Sequence, residues 1–227
     1  VIVVVALVAA AAASFLFWRY VWFFRNPDRA VPSGEGIISP ADGTVVYVKH
    51  VNPGEEIMVI KQGIVAKIED IVKSELSSPK VLIGTFMSPF DVHYNRSPIH
   101  GRIEAISHYP SNGGNLAMTW MHLRTLLRLE PYYKNSMHLP QNERTVTRIT
   151  GRFRGEEISC YVVQIGGGHV NGIDSYFPVG VDIGRGEVFG MIRMGSQVDL
   201  ILPQLPNMRV KVRPGNIVRA GESILVE

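Results

Sequence analysis

The chain has a single cysteine, Cys160, in 227 residues, so no disulfide framework holds it together. That thiol lies in an apolar stretch and reads as an inert core residue, suited to a reducing compartment. Charge is scarce too: 19% of residues are Asp, Glu, Lys or Arg, and the net charge is only +3. A general nucleic-acid binder would carry a stronger basic surface. With 46% hydrophobic residues the chain is not disordered, and its length suits one ordinary domain or two small ones. The positive excess is uneven, because Arg19, Arg25 and Arg29 oppose only Asp28 within residues 1–30.

That charge borders the one extreme feature. Val1 to Trp18 is apolar except for Ser14, and Arg19, Tyr20, Val21, Trp22, Phe23, Phe24 and Arg25 follow. The run is long enough to cross or deeply enter a bilayer, with aromatics and arginines where an interfacial belt would sit. A secretory segment would be cut near Ala13, but no basic stretch precedes the apolar run and the chain does not begin with Met. A buried core helix fits the bunched aromatics and arginines poorly. Residues 1–24 are therefore expected to anchor the chain in the cell membrane, with the remainder on the cytoplasmic face.

Residues 25–36, with Asn26-Pro27 and Val31-Pro32-Ser33-Gly34, read as a linker, and 37–227 as the domain proper. Short β-type runs dominate it: 43–49, 57–60, 63–68, 80–86, 101–107, 145–149, 158–165, 188–192, 198–202, 209–212 and 223–226. The expected fold is mainly β (α+β), a sandwich-like or barrel-like β core with few helices, preceded by the N-terminal hydrophobic helix. A weak echo between Val181–Phe189 and Asn216–Ile224 repeats a turn-Gly-Glu-strand pattern. One stretch breaks the β rhythm: Leu116, Ala117, Trp120, Met121, Leu123 and Leu127 have helical spacing, with Arg124 and Arg128 on the polar side. It reads either as an amphipathic helix packed on the sheet or as an interfacial helix at lipid headgroups. Residues 110–114 and 131–142 read as flexible flanks.

Three stretches hold reactive groups at turns or strand ends. Ser39-Pro40-Ala41-Asp42-Gly43 precedes a strand, and Asp-Gly alone is a turn signal. In Phe86–Pro98, an extended chain would put Asp91 and His93 on one face, a spacing fit for an acid/base or metal pair. His100 and His108 lie nearby at generic spacing, and no metal site is expected. In Phe189–Asp199, Gly195-Ser196 sits between apolar strands. Such a pair is usually a bulge or bend, but a serine hydroxyl can also attack the preceding glycine carbonyl where the backbone is strained.

Together these stretches resemble the phosphatidylserine decarboxylase family, in the short prokaryotic form that includes archaetidylserine decarboxylases. The resemblance rests on Phe23-Phe24-Arg25-Asn26-Pro27 with Pro32, Ser39–Gly43, Phe86–Pro98 with Gly101, Asn142-Glu143-Arg144, and Phe189–Pro203, in family order. It implies self-cleavage between Gly195 and Ser196 into a β chain 1–195 and an α chain 196–227, with Ser196 becoming a covalent pyruvoyl cofactor. The serine headgroup of a membrane phospholipid would form a Schiff base with that group and lose CO2. The implied base and acid is His93, oriented by Asp42. Longer members carry a second histidine where this chain has Arg96. Either His93 takes the whole role or another residue, His169 being the obvious one, stands in. Arg96, Arg193 and His169 are candidate substrate contacts. Expected partners are the phospholipid, the membrane surface, the two chains of one proenzyme and a homodimeric copy, with no nucleic acid. The competing reading is a non-catalytic, membrane-anchored β domain of carrier or scaffold type, although its Gly-Glu turns lack a carrier's lysine. A hydrolase using Ser196 directly lacks the G-x-S-x-G elbow.

Overall fold

A computed structural model describes residues 1–61, 64–72, 77–168 and 172–227. Helix α1 (Ile2–Phe17) continues through a wider π-helical turn at Trp18–Trp22. None of its side chains is buried, and the 21 residues Ile2–Trp22 are long and apolar enough to cross a membrane. The expected helix is thus present; it leaves the body of the protein at Phe23, which is fully buried.

Among the described residues fifteen strands follow: β1 (Ile37–Ile38), β2 (Gly43–Val51), β3 (Glu56–Lys61), β4 (Ile64–Lys67), β5 (Lys80–Met87), β6 (Tyr94–Arg96), β7 (Gly101–Tyr109), β8 (Arg144–Phe153), β9 (Glu156–Gly166), β10 (Ile173–Ser175), β11 (Asp182–Ile183), β12 (Val188–Ile192), β13 (Ser196–Pro203), β14 (Ile217–Val218) and β15 (Ile224–Val226). Eight of them form one curled antiparallel sheet, a half-barrel, in the order β11-β7-β8-β9-β13-β5-β2-β14. The mainly β fold with few helices is as expected. Sheet β10-β12-β6 and the pairs β1-β15 and β3-β4 complete it. The long β8–β9 hairpin closes on Arg154 and Gly155, both at positive φ, 52° and 81°. That is the primed turn whose twist suits tightly connected strands.

Because side chains alternate along a strand, the large sheet has two apolar faces. Val198, Leu200 and Leu202 of β13 join Ile83, Val162, Phe189, Ile192 and Leu225 in one core. Ile201 joins Leu82, Val163 and the buried residues of three short helices, α2 (Ile68–Val72), α3 (Thr119–Leu126) and α4 (His138–Gln141), in the other.

Several expectations need correction. Residues 209–212 form no strand, only a bridge from Val210 to Val226. The run 63–68 is β4 followed by the start of α2 at Ile68, and Gly63 lies outside the described residues. Residues 131–142 are packed and not loose flanks, since Tyr132, Ser136, His138, Leu139 and Asn142 are all buried. The segment 25–36 is strapped to the body. Arg96 donates to Asn26 Oδ1 and the Pro27 carbonyl, Arg185 to the carbonyls of Pro32, Gly34 and Gly36, and Arg29 pairs with Asp42 and Glu222. The echoed turns serve this strap: at Gly186 (φ 82°) a Cβ would strike Val31, and at Gly221 (φ 80°) it would strike Arg96.

Candidate active site

Ser196 opens β13 in the middle of the large sheet, paired with Met87 of β5 on one side and Gly166 of β9 on the other. The turn feeding it is unusual, because Met194 (φ 83°) and Gly195 (φ 64°) are both left-handed. A non-glycine residue in that region costs roughly 1–3 kcal/mol, which the flanking strands must hold in place. The Gly195 carbonyl is packed against Gly167, where a Cβ would lie 2.5 Å from the oxygen. Only glycine at 167 leaves room for it. Ser196 itself is fully buried, and among the described residues its Oγ has no hydrogen-bond partner.

The His93 ring is held on two sides. Its Nδ1 donates to the Asp91 carbonyl at 2.9 Å, which fixes the tautomer and leaves Nε2 as the acceptor. Nε2 is buried without a partner, and the ring lies against Phe23 with centroids 4.3 Å apart. Burial pushes the imidazole down to about 4, so it is neutral near pH 7. Asn95, two residues on, reaches Met87 Sδ with its Nδ2 at 3.9 Å, and Met87 is Ser196's partner across the sheet. Asn95 Oδ1 accepts from Gln164 Nε2, and Gln164 Oε1 is a third buried polar atom without a partner. No hydrogen bond joins His93 to Ser196 among the described residues.

Other expected site residues are placed differently. Residues 88–91 form a turn in which the Asp91 carboxylate accepts from the Ser88 N–H, so Asp91 and His93 do not present one extended face. Among the described residues no hydrogen bond joins Asp42 to His93; one Asp42 oxygen pairs with Arg29 at 2.8 Å and the other accepts from the Ala220 N–H at 2.7 Å. Arg96 is turned onto residues 26–27 and the Gly186 carbonyl. Arg193, two residues before Gly195, is half-exposed and pairs with Asp174 at 2.7 Å. His169 lies outside the described residues.

Beside the Gly195 turn opens a cavity of about 410 Å³ with an almost wholly apolar lining. Phe15 and Trp18 of the N-terminal helix form one wall, Met118, Thr119 and His122 another, and Gly167, Gly168, Met194 and Gly195 the floor. A cavity of this size and lining accepts hydrocarbon.

The comparisons with known proteins show the family. A family model described as phosphatidylserine decarboxylase matches residues 16–226. The chain belongs to the phosphatidylserine decarboxylase family. It is 35% identical over 218 residues, 96% of this chain and 93% of the relative, to a protein of Methanocaldococcus jannaschii with the provisional name archaetidylserine decarboxylase proenzyme. One of the same provisional name from Halobacterium salinarum is 32% identical over 96% of this chain and 83% of its own length. The phosphatidylserine decarboxylase proenzyme of Nitrosomonas eutropha is 31% identical over 99% of this chain and 88% of its own.

The decarboxylase fold also holds a polar cluster that sequence reasoning missed. On the opposite face of β13, Gln197 Oε1 accepts from His138 Nε2 at 3.0 Å, and Gln197 Nε2 donates to Tyr47 Oη and Asp199 Oδ1. Tyr47 Oη donates to both Asp199 oxygens at 2.8 Å. Burial lifts Asp199 to about 6 and lowers His138 to about 4. Gly84 permits the arrangement, because a Cβ there would lie 2.4 Å from the Tyr47 ring. The signal was Gln197 and Asp199 alternating with Val198 and Leu200 in a central strand.

Proposed function

We propose that the chain is a self-processing decarboxylase of serine-headgroup phospholipids, phosphatidylserine or archaetidylserine. It cuts itself between Gly195 and Ser196 and works through a pyruvoyl group made from Ser196. The observation that carries this reading is the left-handed Met194-Gly195 turn leading into a buried, unpartnered Ser196 hydroxyl. In the cut, Ser196 Oγ bonds to the Gly195 carbonyl carbon as the C–N bond breaks. The hydroxyl proton leaves through a base, and the amide nitrogen gains one. β-Elimination then frees residues 1–195 as a carboxylate and leaves a dehydroalanine at 196, whose imine tautomer takes up water and loses ammonia to give the pyruvoyl group.

His93 is assigned as the base. Its lone pair at Nε2 is free and its Nδ1–H is locked on the Asp91 carbonyl. Once protonated in this buried pocket the ring is a strong acid, ready to return the proton to the reacting carbon. The pyruvoyl group, once formed, supplies the sink for the electron pair released with CO2. Arg193, half-exposed beside the turn, is assigned to the headgroup's anionic groups in preference to Arg96. The apolar helix Ile2–Trp22 anchors the domain at the cytoplasmic face of the membrane, where its substrate resides.

The two products stay together by construction. Strand β13 pairs along its length with β5 and β9, β14 pairs with β2, β15 with β1, and Asp42 binds the Ala220 N–H across the divide. Intact mass under denaturing conditions tests the reading. The expected result is two fragments, 1–195 and 196–227, the second without a free amino terminus, that co-purify natively. Ser196→Ala is expected to give one uncut chain with no decarboxylation. A wild-type chain of 227 residues that decarboxylates, or cleavage persisting in Ser196→Ala, overturns it.

A further inference from the structure

We propose that α3 and the turn after it form a second lipid-contacting foot, so that the bilayer grips the protein on both sides of the cavity at Gly195. The inference rests on the reading of α1 as a membrane anchor.

Within residues 116–130 only Met118 and Met121 are buried. Trp120, Leu123, Leu126, Leu127 and Leu129 are 40–69% exposed, which inverts the pattern of a helix packed on a sheet. The segment is also basic, with Arg124, Arg128 and Lys134 against Glu130 alone among residues 116–134. Leucines with a tryptophan and a basic excess are the composition of a helix that lies in the headgroup region of an anionic membrane.

Continuity with α1 identifies the occupant. Trp18 packs against Phe90, which is 64% exposed, with ring centroids 6.2 Å apart. Pro89 beside it lines the cavity, and across the cavity stand Met118, Thr119 and His122 of α3 and its N-cap. An apolar surface therefore runs from the anchor, around the cavity mouth, to the exposed leucines. With α1 in the bilayer the mouth sits at the lipid interface, and lipid is what meets the neighbouring face. A phospholipid can then slide headgroup-first between the two feet toward Gly195 while its tails stay in the membrane.

Site-specific labelling of the full chain tests this. Cys160 is fully buried and its thiol is pushed up to about 12, so an added cysteine is the one that reacts. The chain carrying Leu126→Cys, with a polarity-sensitive fluorophore, is bound to vesicles of phosphatidylcholine and phosphatidylglycerol containing brominated acyl chains; Ile217→Cys, on exposed β14, is the control. The Leu126 probe is expected to be quenched severalfold more by the brominated lipid than the Ile217 probe. Equal quenching, with the protein still floating with the vesicles, overturns the second foot and leaves the anchor standing. Failure to float overturns both. Shielding of the Leu126 probe that grows with protein concentration and ignores vesicles assigns the face to a second copy instead, and also overturns the proposal. The triple variant Leu123→Ser, Leu126→Ser, Leu127→Ser should raise KM for vesicle-borne substrate by about tenfold, since it removes three apolar insertions. Its kcat and self-cleavage should match wild type; an unchanged KM counts against the proposal.

Discussion

Strand β13 carries buried polar groups on both faces, and the two faces treat them in opposite ways. On one, Ser196 Oγ is fully buried with no partner among the described residues, and Gln164 Oε1 of the neighbouring β9 and the His93 Nε2 are in the same condition. On the other, Gln197 and Asp199 are equally buried, yet their side-chain oxygens and the Gln197 amide are all engaged with His138, Tyr47 and each other. Burial of a polar atom is costly unless a hydrogen bond offsets it, so the saturated face is what a stable sheet tolerates. The unsaturated face leaves its groups free, as the proposed reaction requires. Only the side of the strand separates structure from chemistry here.

The sharpest way to break this contrast is to delete one group from each face and measure unfolding in denaturant. Asp199→Ala strips Tyr47 and Gln197 of their acceptor and removes one of the negative charges, Asp70 being another, that offset the buried Arg144; loss of about 3–5 kcal/mol is expected. Ser196→Ala removes a hydroxyl with no partner among the described residues, so its stability should stay within about 0.5 kcal/mol of an uncut reference chain inactivated elsewhere. Equal losses at the two positions would erase the distinction.

The same contrast shows what could be read from residues in order. The three reactive stretches and most strands were legible, because turn chemistry and alternation are local properties. The start of β13 was placed two residues late, since Ser196 and Gln197 are polar and sit where an apolar strand was expected. His138 was assigned to a loose flank because nothing near it in sequence hints at Gln197, 59 residues away. Asp42 was paired with His93 by analogy to an activated serine, whereas the fold brings Arg29 and Ala220 to it. Long-range partners of single polar atoms are set by how strands cross, and no periodicity records that.

Acid should act on both faces at once, to a somewhat smaller extent. His93 and His138 are each lowered from 6.5 to about 4, so between those values the unfolded chain binds protons that the folded chain refuses. Their contribution is complete above pH 6.5 and is lost as pH falls toward 4. Asp199, raised from 3.8 to about 6, runs the other way, because the folded chain holds its proton longer. Two groups oppose one of similar size, leaving a net loss of about 3 kcal/mol from pH 7 to pH 4. Denaturant midpoints of the uncut Ser196→Ala chain across this range measure it. A stability that rises on acidification would mean that Asp199 outweighs both rings.

The smallest change addresses why the reactive face stays dry. Phe23, at the foot of the anchor helix, lies on the His93 ring and is itself fully buried, so the membrane segment helps keep water from Nε2. Phe23→Leu conserves apolar character and should cost only about 1–1.5 kcal/mol. It opens the edge of the ring, and better solvation stabilises the imidazolium, so the histidine's titration should move up from about 4 toward its ordinary 6.5. If His93 is the base, the acid limb of the self-cleavage rate must move up in pH with it, while the unfolding midpoint near pH 7 changes little. An acid limb that stays in place as the histidine resonance shifts in NMR would separate His93 from the reaction and return it to the structural face of the comparison.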